Sequence, residues 1–384
     1  MPELVEKFLK VNFRVIILTI IMLVAFDVAL QYIILPHYLH PDKGQANSAS
    51  DAIVAPAVRR MPADDANTLS LWKNQMARDS GFKVVFLGDS VIHGGGVPSE
   101  RETIPAYFAK QVKILMPAKE IKVYAFTLPG CTPADTYNIL NYISDCKPDL
   151  IIYDVNVAWF GSKNFMEHPR LAELATAQKA DTSQTANIDA KLTKQDPDKV
   201  LGEFITDHWA LYRNRIFLNY LWFGNPLKEK VGLRVAKKDM DNQAVTRLTG
   251  DNEVFKPWYT KNFDVLKKTR GKLGYFNLNE KNQHWVMYKK LAVDLEQKKI
   301  KSVFFMVPRN RTLYQKYNLI DDKILAEKQY NLAAAAEKHG VKVYDYTFLV
   351  DDRYFTDSVH LMAPGNQIIA EHLAWDIVES GIIQ

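Results

Sequence analysis

Lys83-Val84-Val85-Phe86-Leu87-Gly88-Asp89-Ser90 is the stretch whose reading decides the fold. Four consecutive apolar residues with no polar alternation, closed by a glycine, read as a strand buried on both faces, the habit of parallel sheets. Gly94, Gly95 and Gly96 follow, and they let the chain turn toward a helix beginning near Glu102. Ser90 then stands at the carboxyl end of a strand, where open α/β sheets place their ligands.

The same grammar repeats along the chain. Strand patterns are expected at 83–87, 122–126, 150–155, 302–307 and 341–346, and helices at 104–115, 133–144, 283–297, 324–338 and 364–379. Strands alternating with amphipathic helices give a parallel sheet covered on both faces. Three more short blocks sit where strand or helix patterns change. Pro129-Gly130-Cys131-Thr132 follows the second strand, Asn156 follows the third, and Asp357-Ser358-Val359-His360 lies just before the last helix.

These four blocks, in this order, resemble those of the SGNH (GDSL-type) hydrolase family, whose name lists its serine, glycine, asparagine and histidine. The resemblance implies an α/β, flavodoxin-like three-layer sandwich with a parallel five-stranded sheet. It makes Ser90 the nucleophile, His360 the general base and Asp357 the residue that orients His360 and stabilises its imidazolium. The Ser90 and Gly130 backbone amides and the Asn156 side-chain amide would form the oxyanion hole. No cofactor or metal is implied. The chain departs from the family at the third block, where Asp154-Val155-Asn156-Val157 stands in place of the frequent Gly-x-Asn-Asp.

A chain of 384 residues with 47% hydrophobic content can bury a large core, which excludes disorder throughout. A net charge of +5 without a long basic tract does not favour nucleic acid, although a mildly basic surface suits an anionic envelope polymer. No Cys/His spacing of a metal site appears, and Gly94-Gly95-Gly96 lacks the Lys-Ser/Thr ending of a phosphate-binding loop.

Lys7, Lys10 and Arg14 precede an apolar run over 15–35, interrupted by Thr19, Asp27 and Gln31. About 20 mostly apolar residues span a bilayer, and basic residues before the span place the N-terminus in the cytoplasm and the remainder outside. The competing reading is a cleaved signal peptide with its apolar core at 15–26, but no clean small-x-small site follows. Asp27 in mid-span is costly, so either the apolar helix is shorter and Asp27 lies at headgroup depth, or Asp27 meets another membrane protein. The expected organisation is a cytoplasmic N-terminus and transmembrane anchor at 1–35, a linker or stalk at 36–80 ending in a short helix at 69–78, and a catalytic domain at 81–384.

A large insertion at about 160–282 exceeds what the compact family core needs. Its stretch 204–223 carries Trp209, Tyr212, Phe217, Tyr220, Trp222 and Phe223 with Arg213 and Arg215, read as a helix packing its aromatic face on the core or as a glycan or membrane contact. The pairs Trp258-Tyr259 and Tyr275-Phe276 fit a loop-rich cap over the site. Cys131 and Cys146 flank the helix expected at 133–144, whose ends would be about 18 Å apart, beyond disulfide reach, so two unpaired thiols are expected.

Ester hydrolysis and acyl transfer share the first half-reaction, so the triad alone does not separate them. An exported anchor with a long insertion resembles envelope proteins that work beside membrane-bound O-acyltransferases. The expected activity is therefore that of a serine O-acyltransferase or O-acyl esterase on a cell-envelope glycan (exopolysaccharide, peptidoglycan or teichoic acid), as in polysaccharide O-acetylation. The alternatives are an exported lipase or small-ester hydrolase, and a non-catalytic glycan-binding or scaffold subunit of an O-acylation complex.

Overall fold

In the computed structural model, which describes residues 13–30, 66–162, 171, 209, 252–264, 266 and 271–383, the apolar run 84–87 is the centre of strand β1 (Phe82–Gly88). The chain separates into two units, residues 1–55 with 183–235 and residues 56–182 with 236–384. The second carries the sheet. After β1 come α3 (Ser90–His93), α4 (Ile104–Leu115), β2 (Ile121–Thr127), α5 (Pro133–Ile143) and β3 (Leu150–Val155). Then follow α6 (Gln283–Gln297), β4 (Lys301–Met306), α7 (Arg311–Lys316), α8 (Asp322–Glu337), β5 (Lys342–Asp345) and α9 (Ala363–Glu379). Ahead of β1 stands α2 (Ala66–Arg78), and in the first unit α1 (Phe13–Ala29).

All strand pairs are parallel and the spatial order is β2-β1-β3-β4-β5. The expected parallel five-stranded sheet and its doubly wound order are therefore present. Chain direction across the sheet reverses between β1 and β3, since β1 leads to β2 on one side while β3 leads to β4 on the other. Connections diverge there and leave a crevice at the carboxyl ends of those two strands.

The core follows from the two-residue period of the strands. Val84 and Phe86, with Val123, Ala125, Ile152, Val303 and Phe305, face one layer, where α4 and α9 supply Phe108, Ile369, Leu373 and Ile377. Val85 and Leu87, with Tyr124, Phe126, Ile151, Tyr153, Phe304 and Met306, face the other, covered by α2, α5, α6 and α8. Both sides are dry, which is why these strands carry unbroken apolar runs. Phe86 meets Phe108 edge-on at 5.2 Å, an arrangement worth about 0.5–1.5 kcal/mol beyond its buried area. In α2 the residues Leu69, Trp72 and Met76 recur at helical spacing and are buried in the same cluster, so the folded unit reaches back to that helix.

Helix starts are set by local chemistry. Thr103 caps α4 through the Ala106 amide, and Thr132 and Asp135 form a reciprocal capping box at α5 with Pro133 in the first turn. Asn282 caps α6 and Asp321 caps α8. The short helices α3 and α7 had no sequence signal long enough to register.

Helix α1 is 17 residues long, about 25 Å at the α-helical rise, whereas the apolar run expected to span a bilayer covers 15–35. Among the described residues no helix is long and apolar enough to cross a membrane. Residues 31–35, the linker to residue 65 and most of the insertion, including 204–223 apart from Trp209, lie outside the described residues.

Cys131 and Cys146 are buried and unpaired. Burial, reinforced by the nearby Asp135 carboxylate, raises the Cys131 thiol well above its usual range, and burial together with Asp145 pushes Cys146 up to about 11. Neither is a ready thiolate at neutral pH. The folded protein should therefore resist a colorimetric thiol reagent at pH 7.5, and denaturant should release two reactive thiols per chain without added reductant. Recovery of none would mean a disulfide.

Candidate active site

Gly88 ends β1 with φ at 153°, and a Cβ there would lie 1.9 Å from Asp154 Oδ1. Only glycine lets the carboxyl ends of β1 and β3 approach so closely. The backbone then passes through Asp89, whose side chain caps α3 by accepting from the Val91 amide at 2.9 Å, and delivers Ser90 as the first residue of that helix. The glycine run that follows has a second purpose beyond turning. A Cβ on Gly95 would meet His360 Cδ2 at 2.8 Å, and one on Gly96 would meet the Leu361 carbonyl oxygen at 2.3 Å.

Against this bare backbone sits the loop carrying the fourth block. His360 Nε2 lies 2.7 Å from Ser90 Oγ, and His360 Nδ1 lies 2.6 Å from Asp357 Oδ2. An ionised carboxylate can only accept, so Nδ1 carries the proton and Nε2 is free to accept from the serine hydroxyl. The other Asp357 oxygen accepts the Val359 and His360 amides at 2.8 and 2.9 Å. Burial alone would raise the Asp357 carboxyl, but the neighbouring His360 and these hydrogen bonds outweigh it and hold the group well below the usual carboxylate range. Asp357 thus stays anionic while His360 takes up charge. Ser90 and His360 keep partial exposure, so a substrate can reach them.

The loop itself is clamped from two sides. Asn310 is fully buried and bonds it twice, its Nδ2 donating to the Asp357 carbonyl at 3.2 Å and its amide donating to the Ser358 carbonyl at 3.1 Å. On the other side Trp258 donates its amide to the Phe355 carbonyl and its indole N–H to the Asp352 carbonyl, while Lys261 Nζ donates to the Thr356 carbonyl at 2.8 Å. Trp258 therefore braces the triad loop. Of the other aromatic pair, Phe276 stacks on Phe160, with ring centroids 5.9 Å apart.

The third block lies at the end of β3. Asn156 is 8% exposed and caps the 3₁₀ turn Val157–Gly161 by accepting from the Ala158 amide, and its Nδ2 donates to Asp89 Oδ2 at 2.6 Å. Trp159 Nε1 donates to the same oxygen at 2.9 Å. Gly130 follows β2, with φ at 83°, beyond the Leu128 amide that still bonds the Gly88 carbonyl at 3.3 Å. Neither the Ser90 nor the Gly130 amide has a hydrogen-bond partner among the described residues. Both are donors with unspent capacity.

Asp154, which stands where the resemblance leads one to expect glycine, has a specific place. Its Oδ1 accepts the Asp89 amide at 3.2 Å, directly behind the nucleophile turn. Burial, and then the Asp89 charge, push its carboxyl well above the usual range, which favours the protonated form. Sequence reasoning missed this role, and it also missed Arg309, Asn310 and Trp159. The available signal was position, since all four lie at or just past strand ends on the crevice side. Among the described residues no cluster of three or more His, Cys, Asp or Glu stands in metal-holding geometry.

No protein-family model matches the chain, and no curated protein does. Among solved structures, similar folds include a Bacteroides fragilis protein described as an acylhydrolase, at TM-score 0.38 and 11% identity, covering 83% of this chain and 99% of that one. An α/β hydrolase enzyme from the metagenome of Lake Arreo, Spain, gives TM-score 0.37 and 12% identity over 80% and 99%. An acetylxylan esterase from Geobacillus stearothermophilus gives 0.37 and 12% over 78% and 94%. Likenesses this distant leave the site's own geometry as the ground for a functional reading.

The raised Asp154 carboxyl carries a pH signature. Its raised folded value means the native state holds a proton that the unfolded chain releases above about pH 3.9. Native stability is therefore lost as pH rises from there toward the folded value, at up to about 1.4 kcal/mol per pH unit. Asp154→Asn keeps the acceptor for the Asp89 amide and removes the titration. Its stability relative to wild type, from denaturant melts at pH 5 and pH 8, should rise with pH. A constant difference would mean that Asp154 is ionised in the native protein.

Proposed function

We propose that this protein is a serine esterase or O-acyltransferase that works through an acyl-enzyme on Ser90. The observation that carries the reading is the hydrogen-bonded line from Ser90 Oγ through His360 to Asp357, with every donor and acceptor in the correct sense. Ser90 Oγ attacks the ester carbonyl as its proton passes to His360 Nε2, and the imidazolium is held against the ionised Asp357. Negative charge moves to the carbonyl oxygen, where the unpaired Ser90 and Gly130 amides and the second N–H of the Asn156 amide are the donors at hand. His360 then protonates the departing alcohol. In the second half, water or a sugar hydroxyl gives its proton to His360 and attacks the acyl carbon, regenerating Ser90.

A fluorophosphonate probe should label the wild type, and Ser90→Ala should abolish both labelling and turnover of a simple aryl ester. Labelling that persists in Ser90→Ala would move the nucleophile elsewhere. Asn156→Ala should lower turnover by about 10²- to 10³-fold, the usual cost of one oxyanion donor. A near wild-type rate would remove Asn156 from the oxyanion site.

For the setting, the proposal is an extracytoplasmic domain tethered by residues 15–35, with an envelope glycan as acyl donor or acceptor and a membrane-bound O-acyltransferase as partner. Its support is the apolar run behind Lys7, Lys10 and Arg14 and the exposed apolar side chains of α1, among them Leu18, Ile21, Met22 and Val24. Protease added to intact spheroplasts should digest the chain beyond Pro36 while the N-terminal residues stay protected. Complete protection would overturn the orientation and, with it, the glycan substrate.

A further inference from the structure

Arg309 is the largest fully buried side chain, at 1% exposure, and among the described residues it forms no ion pair. A guanidinium withdrawn from water is costly unless its charge is answered nearby. Here the answer comes through an amide. Arg309 Nη2 donates to Asn156 Oδ1, and Asn156 Nδ2 donates to Asp89 Oδ2 at 2.6 Å. The Asn156 carboxamide thus lies between a cation on its oxygen side and an anion on its nitrogen side, and bridges two buried charges that do not touch.

That placement has a directional consequence. An asparagine amide rotated by half a turn has nearly the same shape, so packing does not select between the two orientations. In the rotated form, oxygen would face the Asp89 carboxylate, and NH₂ would face both the guanidinium and the Ala158 amide that now donates to Oδ1, three repulsive contacts in a buried site. The observed orientation puts Nδ2 on Asp89, the residue before Ser90, and leaves its second hydrogen unspent among the described residues. The opposite orientation would present a lone pair to a developing oxyanion. Drawing on Oδ1 also polarises the amide and strengthens its N–H donors.

We propose that Arg309 is a positioning residue that, together with the Ala158 amide on the same oxygen, holds the orientation of the Asn156 amide and, as the one charged donor to it, raises its donor strength, with Asp89 as its counter-charge. The inference deepens the acyl-transfer reading and rests on it for the kinetic consequence. The backbone makes Arg309 well suited to the part. Its amide donates to the Thr347 carbonyl at 2.8 Å, and the next residue, Asn310, holds the Asp357 and Ser358 carbonyls. One loop after β4 therefore fixes the oxyanion asparagine with one side chain and the triad loop with the next. Tyr314 Oη lies 3.5 Å from Arg309 Nη1 and limits its movement.

The test is a double-mutant cycle in the full-length chain, with turnover of an aryl ester read alongside the Asn156 side-chain NH₂ signal of asparagine-¹⁵N-labelled protein, assigned by its loss in Asn156→Ala. Arg309→Met should lower kcat by about 10- to 100-fold, the range for a charge-assisted hydrogen bond, with KM changed less than about 3-fold. In the Asn156→Ala background the same substitution should cost less than about 3-fold, because its target is gone. The Asn156 NH₂ protons should exchange with solvent at least about 10-fold faster in Arg309→Met than in wild type. Arg309→Lys keeps the charge without the fork and should fall between the two; if Arg309→Met does not fold, the cycle is run with Lys. Kinetic losses that multiply in the double variant, or an Asn156 signal unchanged by substitution at Arg309, would overturn the proposal. Faster exchange in a protein without esterase turnover would uphold the positioning role and sink the serine esterase reading instead.

Discussion

Asp89 is the residue on which the site hangs. Its carboxylate is buried, caps the helix that presents Ser90, and accepts from Asn156 and Trp159 on the neighbouring strand end. Its backbone amide is received by Asp154 on the same strand. One buried anion therefore joins the β1 turn to the β3 turn across the point where the sheet's connections reverse. A buried charge must be satisfied or neutralised, and here three donors meet Asp89, one of them the amide that starts the helix, while Arg309 balances it through Asn156 and the neighbouring Asp154 carboxyl is pushed up toward its neutral form.

The polar interior explains the division of exposure in the site. The groups that set geometry, Asp89, Asp154, Asn156, Arg309 and Asn310, are each at most 8% exposed, whereas Ser90, His360 and Gly130 reach solvent. Rigid supports behind a reachable surface fit a reaction whose transition state is stabilised by preorganised donors, because no reorganisation is then needed as charge develops. The loop bearing Asp357 and His360 is long and would be free to shift, yet it is tied by Asn310 from one side and by Trp258 and Lys261 from the other. Glycines at 95 and 96 let it lie directly on the nucleophile turn.

Strands β1 to β4 were legible because their centres lie buried on both faces, which forces an unbroken apolar run, whereas the edge strand β5 is only partly buried. Their expected bounds differ from the observed ones by at most one residue at either end, and those of β3 coincide, since hydrogen bonding frays and side-chain pattern is silent at strand ends. Ser90, Asp357 and His360 were legible through short blocks that resemble the motifs of a known hydrolase family. Asp154 was visible only as a departure, since a lone acid in an apolar strand looks like a fault until its partner is known. Arg309 and Asn310 were visible by position just past a strand end but not by role, because their partners are 153 and 47 residues away.

From sequence alone came the alternation of buried strands and helices, and with it the α/β class, because hydrophobic period is a local property that burial imposes residue by residue. The candidate nucleophile, base and acid came from four short blocks whose order resembles that of the SGNH (GDSL-type) hydrolases. Only the tertiary structure decided which polar groups face one another at the sheet's switch point: that Asn156 lies between Arg309 and Asp89, that burial beside Asp89 raises the Asp154 carboxyl, and that the glycines after Ser90 make room for His360. Such facts depend on distance and desolvation between residues remote in the chain, and a linear pattern carries neither.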